Sequence, residues 1–273
     1  MRLGLEAAKD TLDLAAELGV RGVPISAQAL VEQGVGATLA PLRARGLEVC
    51  QVGAFGYNPL SSDVERQAGQ AALLEQAIPL APETGCSYIT ICGGNRHPSG
   101  FGAGDAYNYT DAALDEVAQA LAPLLALAEK HGVKLTIEAY LKTAVYSAER
   151  FRALQSRVGS DALRCNVDVS SLYDYWDLWD PRAKVEQTCS GLAGHYGLAH
   201  VKEIALQEGF HIQAGLAPLG EGPTDWVQVL RGMAPHLPGD SWVVLEHVLS
   251  PEEGRASVAH LRAAAVEAGV ELD

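Results

Sequence analysis

LAHVKEIAL (residues 198–206) is a short apolar run that reads as a buried β-strand, yet its far end carries His200, Lys202 and Glu203. Taking an uncharged polar group out of water without a partner costs roughly 2–7 kcal/mol, and an isolated charge costs more. Something must meet these groups where the strand ends. Three further strand-like runs close in the same way: KLTIEA (134–139) on Glu138, LRCNVDV (163–169) on Asp168 and WVVLEHV (242–248) on Glu246.

Working outward, the same kind of run recurs at RLGLEA (2–7), RGVPIS (21–26), LEVCQV (47–52) and SYITIC (87–92). Between the runs lie Ala/Leu-rich stretches with helical spacing, among them 11–19, 64–85, 110–132 and 257–269. Thr110, Asp225 and Ser250 have the character of N-caps, and Gly19, Gly85 and Gly132 that of helix-closing glycines. Strands that are continuously apolar, rather than alternating, are covered on both faces. Eight strand–helix units in this length predict a (β/α)8 TIM barrel, an α/β fold built as a single domain over residues 1–273, with an open doubly wound sheet as the alternative.

Composition sets limits on function. The formal net charge is −14, and 48% of the residues are hydrophobic. So acidic a chain lacks the basic footprint that nucleic acid or an anionic membrane requires, so neither is expected as a partner. The N-terminal MRLGLEAAKD has no apolar signal-peptide core, and the longest apolar stretch, ALAPLLALA (120–128), is short and holds Pro123. Cys50, Cys86, Cys92, Cys165 and Cys189 form no CxxC pair and read as reduced core residues of a cytoplasmic protein.

In such a barrel the chemistry sits at the C-terminal rim of the strands. Glu138, Asp168, His200 and Glu246 occupy that rim on strands five to eight, spaced 30, 32 and 46 residues apart. Three converging carboxylates repel one another and drive at least one pKa upward. A divalent cation removes the conflict, and a set of three oxygens and one nitrogen suits Mn²⁺, Mg²⁺ or Co²⁺, with Zn²⁺ also compatible. The plain alternative is a set of salt-bridged rim residues. Lys202, two residues after His200, points to the same inner side. It serves either to hold a substrate oxygen or to form a salt bridge with Glu138 or Glu246. Glu203 points the other way and reads as structural.

The motifs IEAY (137–140), NVDVS (166–170), AHVKE (199–203), PLGEGPTDW (218–226) and VVLEH (243–247) resemble those of the xylose isomerase-like superfamily of sugar isomerases and epimerases. The resemblance extends over essentially the whole chain. It implies that Glu138, Asp168, His200 and Glu246 bind one metal ion, and that Glu138 and Glu246 also exchange protons with a sugar, polyol or keto-acid substrate. The chain departs from the family at two places. Ser171 stands three residues after Asp168, where a D-x-x-H pattern would place a histidine, and residues 201–230 contain no arginine. Ser171, Lys202 and His211 are therefore the expected substrate contacts in those regions.

Two loops complete the candidate site. The stretch 91–109, a surface loop after the fourth strand, carries Arg96 and His97, which are suited to an acidic or phosphorylated substrate. The run SLYDYWDLWD (171–180) brings Tyr173, Tyr175, Trp176 and Trp179 together. These rings suit either a wall for the sugar, with Trp176 a substrate contact, or a subunit contact in a homo-oligomer. The leading expectation is a metal-dependent isomerase or epimerase. An inosose-type dehydratase and a non-catalytic sugar-binding barrel are the alternatives. A repair endonuclease is disfavoured by the charge and by the lack of histidine at the ends of strands one to three.

Overall fold

The computed structural model describes residues 1–273, apart from the side chain of Phe101. Among the described residues there are ten strands and eight α-helices, alternating along the chain except where three strands, β7 to β9, follow one another. The strands are β1 (Arg2–Ala7), β2 (Gly22–Ser26), β3 (Glu48–Gly53), β4 (Tyr88–Cys92), β5 (Lys134–Glu138), β6 (Leu163–Val167), β7 (Tyr196–Val201), β8 (Glu203–Gln207), β9 (Gln213–Ala217) and β10 (Trp242–Val248). The helices are α1 (Thr11–Leu18), α2 (Ala27–Arg43), α3 (Val64–Leu80), α4 (Asp111–His131), α5 (Ala148–Val158), α6 (Arg182–Gly191), α7 (Trp226–Met233) and α8 (Pro251–Ala268). Eight parallel strands close into a barrel in the order β1-β10-β7-β6-β5-β4-β3-β2, as the buried apolar runs predict. Among the described residues no helix is long and apolar enough to cross a membrane.

The chain groups into two compact units. One comprises residues Met1–Val23, Leu42–Glu48 and Val167–Asp273. Here β1 pairs with β10, and β10 pairs with β7 so that Val244 stands opposite His200. Leu3, Leu5, Leu198, Val243 and Val244 are fully buried, and such complete removal from water is worth about 1.5–3 kcal/mol per large aliphatic side chain. The Asp225 side chain caps α7 through the Gln228 amide, and Ser250 caps α8 through the Glu253 amide.

The other unit comprises Pro24–Pro41 and Val49–Asn166. In it β3, β4, β5 and β6 pair in sequence, with Glu138 of β5 in register with Asn166 of β6. Its buried face includes a polar ladder: Gln51 Oε1 accepts from Thr90 Oγ1 at 2.9 Å, and Thr90 and Thr136 share a hydrogen bond of 2.8 Å. Thr110 caps α4 through the Ala113 amide.

One local expectation is corrected. The run at 198–206 is not one strand: β7 covers Tyr196–Val201, and from Glu203 the chain enters an antiparallel hairpin of β8 with β9. Glu203 pairs with Ala217 and Gln207 with Gln213, so each hairpin strand supplies the other's hydrogen bonds. The loop after β4 is held by hydrogen bonds to a buried side chain. Asn95 is fully buried, its Nδ2 donates to the carbonyls of Gly100 and Ala103, and its Oδ1 accepts from the His97 amide and Asn108 Nδ2.

Candidate active site

β6 ends one residue before Asp168, and the turn that follows is built around its carboxylate. Asp168 Oδ1 accepts from the Ser170 amide at 2.9 Å, Ser170 Oγ at 2.7 Å and the Ser171 amide at 3.2 Å. Such short side-chain-to-backbone bonds are what Asp favours at the end of a strand. The other oxygen, Oδ2, accepts from Lys202 Nζ.

Lys202 joins this turn to β10. Its ammonium also donates to Glu246 Oε1 at 2.7 Å and to Ser171 Oγ at 2.8 Å. Of the two roles open to Lys202, the structure thus supplies an ion pair, with Asp168 and Glu246 as partners. The group is deeply buried: Asp168 is 2% exposed, Lys202 8% and Glu246 6%.

His200 is wholly buried two residues before Lys202, and its Nδ1 lies 2.7 Å from Glu246 Oε2, off the line a hydrogen bond requires. Burial alone would raise the Glu246 pKa, but the neighbouring His200, Lys202 and His247 outweigh it. The net effect holds Glu246 well below the usual 4.5, so it stays ionised.

Sequence reasoning missed three residues here. His247, next to Glu246, has φ of 59°, a left-handed conformation rare for a residue with a side chain, and places Nε2 3.3 Å from Glu246 Oε1. The strand pairing slips at the same point, between Leu5 and Ala7 of β1. The second is Asn166, fully buried with neither Oδ1 nor Nδ2 bonded to another protein group. The third is Thr224. Its hydroxyl donates to Glu203 Oε1 at 2.6 Å, while Trp226 Nε1 donates to Glu203 Oε2 at 2.8 Å. Glu203 is thus structural, as expected, but is buried beneath the 218–226 loop rather than turned to solvent. Tyr173 extends this network through a 3.2 Å hydroxyl contact with Thr224. Only the motif PLGEGPTDW hinted at the arrangement.

The structure therefore brings Asp168, Ser171, His200, Lys202 and Glu246 together. Glu138 ends β5 and is half-buried. His97 bonds Ser99 Oγ through Nδ1 at 2.7 Å, and Arg96 pairs with Glu116 and lies over the Tyr107 ring. His211 is exposed in the hairpin turn beside Phe210, and Trp176 is 81% exposed against Trp179. All five cysteines are buried and unpaired with one another.

Residues 12–264 match the family described as the xylose isomerase-like TIM barrel. The chain belongs to this family. A search of curated proteins found no match. Several solved structures share the fold. A xylose isomerase-like TIM barrel protein from Mycobacterium smegmatis, crystallised with magnesium, is 18% identical, with a TM-score of 0.72 over 94% of this chain and 88% of that one. The 3-keto-D-glucoside 4-epimerase YcjR from E. coli is 16% identical, with a TM-score of 0.72 over 96% and 99% of the two chains. The probable 3-DHS dehydratase AsbF from Bacillus anthracis is 18% identical, with a TM-score of 0.67 over 96% and 98%. Identities this low carry the fold of the xylose isomerase-like family and nothing finer.

Proposed function

We propose that the protein is a divalent-metal-dependent isomerase or epimerase of a small sugar, polyol or keto acid. The observation that carries this reading is the buried pair Asp168 and Glu246, held against a cationic group, with His200 beside them. The donor chemistry fits a divalent ion, since two buried carboxylates already accept a positive charge and a buried imidazole lies against one of them. The proposed ligands are Glu138, Asp168, His200 and Glu246; Glu138, His200 and Glu246 each offer one oxygen or nitrogen atom. The four stand at the ends of β5, β6, β7 and β10. Magnesium in the Mycobacterium smegmatis relative supports a divalent ion, with Mn²⁺, Mg²⁺ or Co²⁺ favoured by the oxygen-rich set and Zn²⁺ also compatible.

When bound, the ion supplies Lewis acidity to a substrate carbonyl and hydroxyl. Glu138 and Glu246 are proposed to move the proton, one removing it from carbon and the other returning it. Lys202 and Ser171 are proposed to orient substrate oxygens, with His97, His211 and Trp176 as further contacts. We place the protein in the cytoplasm as one domain spanning residues 1–273, with the exposed Trp176 and Trp179 compatible with a homo-oligomer.

A second reading, elimination of a hydroxyl after proton removal, is supported by the shared fold of the AsbF dehydratase. Product analysis separates the two. The primary test is metal content. Protein prepared without chelators should carry about one divalent ion per chain, and Asp168→Asn should lose it. Undiminished metal in that variant would overturn the ligand assignment. Incubation of active substrate in D₂O should incorporate solvent deuterium, and Glu138→Gln should abolish it.

A further inference from the structure

Asp168 and Glu246 are both proposed as metal ligands, and both already hold Lys202. The donors on Asp168 are unevenly divided. Oδ1 accepts three of them, from the Ser170 amide, Ser170 Oγ and the Ser171 amide. The oxygen that faces Lys202 is Oδ2. An ion bound by Asp168 would therefore take the oxygen the ammonium uses. At Glu246 the division is similar, with Oε1 on Lys202 at 2.7 Å and Oε2 2.7 Å from His200 Nδ1.

Lys202 is not a surface side chain that swings away at little cost. It is 8% exposed, and Ser171 Oγ also accepts from it at 2.8 Å. Burial strengthens the ammonium–carboxylate attraction, because charge interactions are screened less there than in water. A divalent ion must either share these oxygens with a positive group at short range or displace it from its partners. Both routes cost binding energy.

We propose that Lys202 is a resident competitor of the metal ion: it neutralises Asp168 and Glu246 and lowers the affinity of the site for divalent cations. This inference rests on the metal reading of the site and adds to it a residue that sets how tightly the ion is held. It requires no change in the protonation of Lys202.

The test is titration of the full-length protein with Mn²⁺, read by calorimetry and by the electron paramagnetic resonance signal of free Mn²⁺. Wild type is compared with Lys202→Met, Lys202→Gln and Lys202→Arg. The two neutral variants should bind Mn²⁺ at least tenfold more tightly. Lys202→Arg, which keeps the charge, should stay within about threefold of wild type. Lys202→Gln retains a donor toward Ser171 and serves if Lys202→Met fails to fold. Binding by the neutral variants alone, with none by wild type, would overturn the metal reading of the natural site and, with it, the inference that Lys202 tunes a working metal site. Equal or weaker binding by folded neutral variants, with wild type still binding, would overturn the inference and leave the metal reading standing. No binding by any of the proteins would overturn both.

Discussion

Glu203 accepts the indole N–H of Trp226 at 2.8 Å, joining the residue after the candidate site's lysine to the first turn of α7. Thr224 bonds the other oxygen at 2.6 Å. The loop wraps so closely that a Cβ at Gly222 would lie 2.5 Å from the Glu203 carboxyl carbon. The carboxylate therefore organises the segment between the hairpin and α7.

Replacing Glu203 by Gln leaves one acceptor oxygen where the Thr224 and Trp226 donors converge. Glu203→Gln should lose about 1–3 kcal/mol in urea unfolding at neutral pH. Burial raises the Glu203 pKa above 4.5 despite those donors. A raised folded pKa gives stability that is fully present below the unfolded value and lost as pH rises through the folded one. The wild-type advantage over Glu203→Gln should thus be largest below pH 4.5 and shrink above it. An advantage that grows with pH would contradict the raised pKa.

Gly222→Ala should destabilise more than a typical surface change, by about 1–3 kcal/mol, because the added methyl meets Glu203. Chemical denaturation measures this directly. Unchanged stability would mean that the loop relaxes away from Glu203.

His247 holds a left-handed backbone beside Glu246. His247→Asn should be nearly neutral in thermal unfolding, since Asn tolerates that region. His247→Val should cost about 1–2 kcal/mol, because a β-branched side chain does not. Equal melting temperatures for the two variants would argue against the strained conformation.

Asn166 buries both polar atoms of its amide without a bond to another protein group. Asn166→Val should stabilise the fold by about 1 kcal/mol, since an apolar side chain carries no unmet hydrogen bonds. A marked loss of stability would show that the amide is satisfied in solution.

Trp176 is 81% exposed. Trp176→Ala should leave unfolding free energy within about 0.5 kcal/mol of wild type. Weaker binding of a polyol or keto-acid substrate at unchanged stability would fit its proposed place in the substrate wall. A change in oligomeric state, seen by sedimentation, would instead assign it to a subunit contact.

The barrel strands were legible because burial on both faces leaves a local trace, a run of apolar residues such as YITIC or LGLEA. The hairpin was hidden because Glu203–Gln207 and Gln213–Ala217 are short and half-exposed, and their pairing joins residues six to fourteen positions apart. His247 left no trace, because nothing in VVLEHV marks a left-handed residue where glycine would be the usual choice.

By itself the amino-acid sequence determined the apolar runs that become the barrel strands and the polar residues that stand at or near their ends, Asp168, His200 and Glu246 among them. Hydrophobic periodicity is written in neighbouring residues, so it can be read without coordinates. Only the tertiary structure decided that Lys202 bridges Asp168 and Glu246 and that Glu203 is enclosed by Thr224 and Trp226. Those partnerships depend on strand register and on the reach of long, flexible side chains, and neither is encoded in the local pattern.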